Sequence, residues 1–167
     1  MRLELGSGDR PTHGFVHLDQ REDAPDLQLC GDATDLEHAW RCDGYHGPLP
    51  SEARWREIRA THLLEHFSHR RTVEILAHWR SLLEPGGDVY LEVPNLAGHV
   101  NAWKWGQSSD EQFVEYLFGE QDHDGNFHKT MFTERTLRDS LERAGFGRIQ
   151  VRDLGLVFTA KGSRADG

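Results

Sequence analysis

The sequence predicts an α/β domain built on a doubly wound, mostly parallel sheet that closes with an antiparallel strand. Three observations carry that expectation. Short apolar segments alternate with helical patterns along the 167 residues. Three of the earliest apolar segments, around Glu4, Asp19 and Asp32, carry an acid next to a glycine or at a strand end. The chain then finishes on two strand-like segments around the turn Asp153-Leu154-Gly155, the pattern of a terminal hairpin.

Taken in order, Arg2 to Leu5 is the first strand, and Gly6-Ser7-Gly8 is a turn where the backbone can approach a ligand closely. Phe15 to Asp19 is the second strand. Only nine residues, Gly6 to Gly14, separate the two. A parallel crossover usually needs a dozen or more, so the strands form either a hairpin or a parallel pair with its helix abbreviated to a loop. Leu27 to Cys30 is a short third strand, and Arg54 to Thr61 a fourth beyond a loop rich in proline and glycine. Ser68 is expected to cap a helix whose stripe is Val73, Leu76, Ala77, Trp79 and Leu83, ended by Pro85-Gly86-Gly87. Val89 to Val93 is the strongest strand.

Residues 97–130 look like an insertion, a lid or substrate segment within a single domain spanning 1–162. Inside it, Ser109-x-x-Gln112 is a capping box for a helix with Phe113, Val114, Leu117 and Phe118 on one face, closed by Gly119. Thr133 caps a helix with Leu137, Leu141 and Ala144 on its inner side, stopped by Gly145. Residues 163–167 are expected to fray.

Composition narrows the function. A formal charge of −9 speaks against nucleic acid, whose phosphates call for a basic surface. No apolar run approaches the length of a membrane span, and the N-terminus lacks a secretory pattern, so a cytoplasmic location is expected. Cys30 and Cys42 have no metal or redox spacing, and no metal site is expected. Eleven histidines make imidazole a leading candidate for proton transfer.

In this order and spacing the motifs resemble the class I S-adenosylmethionine-dependent methyltransferases in their short, type-11-like form. The resemblance rests on Leu3-Glu4-Leu5-Gly6-Ser7-Gly8, Leu18-Asp19, Gly31-Asp32-Ala33-Thr34-Asp35-Leu36 and His62-Leu63-Leu64-Glu65-His66. It continues through Leu83-Glu84-Pro85-Gly86-Gly87 and Phe132-Thr133 to Ala144-Gly145-Phe146. It implies a Rossmann-like sheet with helices on both faces, the final strand lying antiparallel between its neighbours, and S-adenosylmethionine as cofactor. Gly6, Ser7 and Gly8 would line the methionine moiety with Glu4 near its ammonium. Asp19 would hold the ribose diol, Asp32 and the Ala33 backbone would meet the adenine, and His62 would border the same site. The implied reaction is methyl transfer to an oxygen or nitrogen of a small molecule or saccharide.

The family often places helices before the first strand and another between the first two, and neither is expected here. The cofactor site is then more open, or is completed by another subunit of a homo-oligomer. The acid often found in the fourth strand is replaced by Arg56, which leaves the register of 37–56 open. For a general base the candidates are His128, then His62 and Glu65. Asn95 is placed to orient the acceptor, and Trp103 and Trp105 to wall its pocket. Two other function classes stay open. One is a non-catalytic cofactor-binding or interaction domain of the same fold. The other is a zinc hydrolase using His62-x-x-Glu65-His66, which needs both histidines on one helix.

Overall fold

A computed structural model of the chain describes residues 1–123 and 125–165. Among the described residues eight strands form one sheet: β1 (Arg2–Leu5), β2 (Val16–Asp19), β3 (Leu29–Cys30), β4 (Trp40–Arg41), β5 (Trp55–Thr61), β6 (Leu83–Pro94), β7 (Gly147–Asp153) and β8 (Val157–Ser163). Their order across the sheet is β4-β3-β2-β1-β5-β6-β8-β7. Strands β3, β2, β1, β5 and β6 pair in parallel. Strand β8 runs antiparallel between β6 and β7, as the family resemblance implies.

The link from β1 to β2 contains turns and no helix, and the two strands are parallel, Leu3 opposite Val16. The abbreviated crossover is therefore the alternative realised. The chain leaves β1 toward β2 on one side and pairs β1 with β5 on the other. This reversal of winding opens a crevice beyond the C-terminal ends of β1 and β5.

Alternation along the strands sorts the two faces. Leu3 and Leu5, Ile58 and Ala60, and Val89, Leu91 and Val93 are buried in one core cluster with Ile75, Leu76, Trp79, Leu137 and Leu141. Those last five residues lie on α1 (Thr72–Leu82) and α4 (Glu134–Arg143), which touch each other and cover this face. The second face carries a polar and aromatic ladder. The Arg2 and Arg59 guanidiniums sit 4.5 and 4.6 Å from the Phe15 ring, and Arg59 is 4.8 Å from that of Tyr90.

The local punctuation differs in several places. Helix α1 starts at Thr72 with Arg71 as its first flanking residue, and Ser68 Oγ accepts the Arg70 N–H in the preceding turn, so Ser68 is not the cap. Its buried stripe is Thr72, Ile75, Leu76, Trp79 and Leu82; Ala77 is exposed. Leu83 has already turned to extended backbone and pairs with Trp55, since Glu84 before Pro85 is disfavoured in a helix.

The stretch expected to be an insertion, with the residue before it, holds two helices, α2 (Leu96–Lys104) and α3 (Asp110–Phe118). The first is absent from the sequence expectation, although Asn95 signals it by accepting the Gly98 N–H at 3.1 Å. The Ser109–Gln112 capping box and the Thr133 cap form as expected. The tail expected from Ser163 is held at its start: Ser163 Oγ donates to Asp88 Oδ1 at 2.6 Å and Arg164 N–H to Gly87 O at 2.8 Å. Asp166 and Gly167 lie outside the described residues.

Candidate active site

A cavity of about 570 Å³ fills the crevice beyond β1 and β5. That is within the ordinary range for a small-molecule site. Its walls come from the Gly6–Gly8 turn, Asp19 to Arg21 after β2, Gly31 to Thr34 after β3, and the loop after β5 with His62, Leu63 and His66. The segment carrying His123, Asn126 and Lys129 completes it.

The turn after β1 is built by conformation. Gly6 and Gly8 have φ of 62° and 57°, the left-handed region that side chains with a Cβ rarely occupy. Gly6 N–H donates to Leu18 O at 2.8 Å, and Gly8 N–H donates to Asp19 Oδ2 at 2.9 Å. The other oxygen of Asp19 accepts the Arg21 N–H, also at 2.9 Å. The carboxylate is buried yet lines the cavity. Each of its oxygens has a second lone pair free for a ligand hydroxyl. Asp32 is exposed on the wall, and its Oδ1 takes the Thr34 N–H at 2.7 Å. Beside it, Ala33 O accepts the Trp79 indole N–H at 2.7 Å, which ties the β3 loop to α1.

Two residues expected in the cofactor set lie elsewhere. Because Leu3 and Leu5 face the apolar core, Glu4 between them faces the opposite side of β1. There it accepts the Thr12 N–H at 2.7 Å and the Thr12 hydroxyl at 2.5 Å, with His17 Nε2 at 3.5 Å. It is buried and does not line the cavity. Ser7 is buried, its hydroxyl without a partner among the described residues, and it too lies off the cavity wall.

The loop after β5 is strained at His62, whose φ is 48°. This turns its ring into the cavity between two acids, with Nδ1 3.3 Å from Glu65 Oε1 and Nε2 3.2 Å from Glu92 Oε1. The hydrogen bond to Glu65 is the main force raising its pKa, opposed by burial and aided by the Glu65 and Glu92 charges. A short 3-10 turn, Leu64–His66, follows, so His62 and His66 do not share a helix face, and the helix-borne zinc pair of the hydrolase reading does not form. Burial holds the His66 pKa below its usual value, against the Glu65 charge.

His128 sits behind this wall. Its Nδ1 is 2.9 Å from Tyr116 O, its backbone N–H donates to Phe118 O at 3.0 Å, and its ring packs edge-on against that of His66 at 5.0 Å. Asn95 does not face the cavity. Besides capping α2, its Nδ2 donates to Asp153 Oδ1 at 3.0 Å and Gly155 O at 2.9 Å, which locks the β7–β8 turn. Trp103 stacks on Phe113 at 4.9 Å and donates its indole N–H to Asp110, so it packs the insertion's own small core. Trp105 is 77% exposed and walls nothing. Lining residues that sequence reasoning missed are Gln20, Arg21, Arg71, His123 and Lys129. Position just after β2 was the available signal for Gln20 and Arg21.

A family model described as a methyltransferase domain matches residues 11–151. No curated protein matches the sequence. Among solved structures, an O-methyltransferase family protein from Burkholderia thailandensis aligns with a TM-score of 0.64 at 13% identity, covering 99% of this chain and 51% of that one. A SAM-dependent methyltransferase from Archaeoglobus fulgidus gives 0.62 at 14% identity, covering 98% of this chain and 85% of that one. Human N-acetylserotonin methyltransferase, solved with SAM, gives 0.59 at 14% identity, covering 98% and 47%. At these identities the likeness is one of fold. The chain spans about half the length of the Burkholderia and human proteins. No described helix is long and apolar enough to cross a membrane.

Proposed function

Because the chain belongs to the methyltransferase-domain family, we propose that it transfers a methyl group from S-adenosylmethionine to an oxygen or nitrogen of a small molecule or saccharide. One observation carries the reading: a buried carboxylate, Asp19, ties down the Gly8 turn while still facing a cavity of suitable size. The backbone of Gly6 and Gly8 would border the methionine part and Asp19 would accept the ribose hydroxyls. Asp32 and the Ala33 backbone would meet the adenine, and His62 closes the far wall.

When bound, the cofactor supplies a methyl carbon on a sulfonium sulfur. The chain's own task is alignment and exclusion of water around an in-line displacement. As the acceptor's bond to carbon forms and the carbon–sulfur bond breaks, the acceptor proton has to leave. His62 in its neutral form would take it, since of the three base candidates it alone lines the cavity. Glu65 and Glu92 would then stabilise the imidazolium. A cytoplasmic location fits two cysteines left as free thiols.

The test is transfer of labelled methyl from S-adenosylmethionine across hydroxylated, amine and saccharide acceptors, compared with His62→Ala. Label appearing in an acceptor, reduced about 100-fold or more in the variant, supports the reading. Tight cofactor binding without transfer to any acceptor class would favour the non-catalytic domain instead.

A further inference from the structure

Behind the cavity wall the fold gathers three side chains from two distant segments. Glu65, His66 and His128 each offer one ligand atom, and these atoms lie within 4.8 Å of one another. Glu65 has no exposed surface, and its Oε2 has no hydrogen-bond partner among the described residues. A buried carboxylate oxygen left unpaired is costly, so something absent from the chain's own contacts is expected to satisfy it.

The two imidazoles are set in a matching way. His66 Nδ1 faces Phe127 O at 3.2 Å, and His128 Nδ1 faces Tyr116 O at 2.9 Å. A backbone carbonyl accepts only from a protonated nitrogen, so each ring carries its proton on Nδ1 and keeps the Nε2 lone pair free. Metal-ligating histidines are characteristically held this way. Glu65 is oriented in turn by His62 through Oε1 at 3.3 Å. The backbone joins the same two segments, since Lys129 and Thr130 N–H both donate to Glu65 O, at 2.8 and 3.1 Å.

We propose that Glu65, His66 and His128 form a divalent metal site for a zinc-class ion. Two imidazole nitrogens and one carboxylate oxygen suit zinc and its neighbours rather than magnesium or calcium, which prefer oxygen throughout. Around an ion with bonds near 2.1 Å, ligand atoms lie roughly 3.4 Å apart, so side-chain adjustments of about an ångström close the site. These are not the ligands of the hydrolase motif: His62, between Glu65 and Glu92, becomes the outer residue that orients Glu65. Of the three ligands, His66 also belongs to the cavity wall.

The experiment is calorimetric titration of the chelator-treated full chain with Zn²⁺, alongside Co²⁺ binding followed by visible absorption. One ion per chain is expected, with affinity weakened about 100-fold or more by His66→Ala and by His128→Ala. His62→Ala is expected to weaken it about 10-fold. The exposed His46→Ala, away from the site, is expected to change nothing. If the ligand variants do not fold, histidine ¹⁵N spectra of the unaltered chain decide: Zn²⁺ should first shift the imidazole resonances of His66 and His128. No stoichiometric binding overturns the site. So does an ion retained at full affinity without His66 and His128, or one that first perturbs other histidines. These readouts need no methyl transfer, so the site and the proposed activity can fail separately.

Discussion

The Asp19 carboxylate receives the backbone N–H of Gly8 at 2.9 Å, across eleven residues and the whole β1–β2 connection. One side chain thus fixes the turn that opens the cavity and forms part of its floor. With no helix after β1 to cap, the turn depends on this bond and on the Gly6 N–H to Leu18 O bond at 2.8 Å.

Gly6 and Gly8 should respond unequally to alanine. Both have positive φ, which costs a side chain about 1–2 kcal/mol. A Cβ on Gly6 would also come within 2.8 Å of Leu63 Cδ1, whereas one on Gly8 meets nothing within 4 Å. In urea denaturation, Gly6→Ala is expected to lose more stability than Gly8→Ala. Equal losses would mean that Leu63 yields freely.

Much of this was legible in the residues. Most of the strands, the glycine turn, the acids Asp19 and Asp32 after the second and third strands, and the caps at Ser109 and Thr133 follow from alternation and local punctuation; the short strand Trp40–Arg41, in a stretch without clear pattern, does not. What was not legible depends on side-chain direction or on distant pairing. Glu4 reads as a rim acid until the burial of Leu3 and Leu5 turns it to the other face. Asn95 follows a strand end, where acceptor-orienting residues occur, yet its bonds to Asp153 and Gly155 come from about sixty residues away. Trp103 looks like a pocket wall until Phe113 takes its ring face.

Glu4 gives the second prediction, and it separates this chain from the family expectation. Thr12 donates its N–H to one Glu4 oxygen and its hydroxyl to the other, and Glu4→Gln turns one of these acceptors into an amide NH2, so it should cost about 1–3 kcal/mol in stability. At temperatures where the variant is folded, calorimetry should find its affinity for S-adenosylhomocysteine within about twofold of the parent chain's, a difference too small to be a lost ionic contact. A drop of tenfold or more would return Glu4 to the cofactor site.

His99 gives a pH dependence. Its ring is buried against Tyr116 at 4.5 Å, and burial holds its pKa down. His128 and His62 push the same way, and a hydrogen bond with the Leu156 backbone opposes them. A depressed folded pKa means that its neutral form is favoured in the native state. That stability is fully present above the unfolded histidine value of about 6.5 and is lost as pH falls through the folded value. His66 titrates in the same sense and His62 in the opposite one. Thermal melts of chelator-treated protein between pH 7.5 and 5 should show a smaller acid loss for His99→Phe than for the parent. Parallel pH profiles would contradict this.

Cys30 should be slow to alkylate. Burial, and next the Cys42 thiol 3.2 Å away, push its pKa up to about 12. Almost no thiolate is then available at pH 8, and the thiolate is the reactive form. Mass spectrometry after iodoacetamide treatment is expected to find Cys30 unmodified in the native chain and modified in denaturant. Rapid native labelling would mean that the β3–β4 edge opens readily.

The central claim is that the Asp19–Gly8 floor holds S-adenosylmethionine, and calorimetric titration with its demethylated product, S-adenosylhomocysteine, tests it most directly. The account predicts one molecule bound per chain in the parent and affinity at least tenfold weaker in Asp19→Ala, a loss of about 1.4 kcal/mol or more. Absence of binding to the parent chain, or an Asp19→Ala variant that binds as tightly, would contradict it.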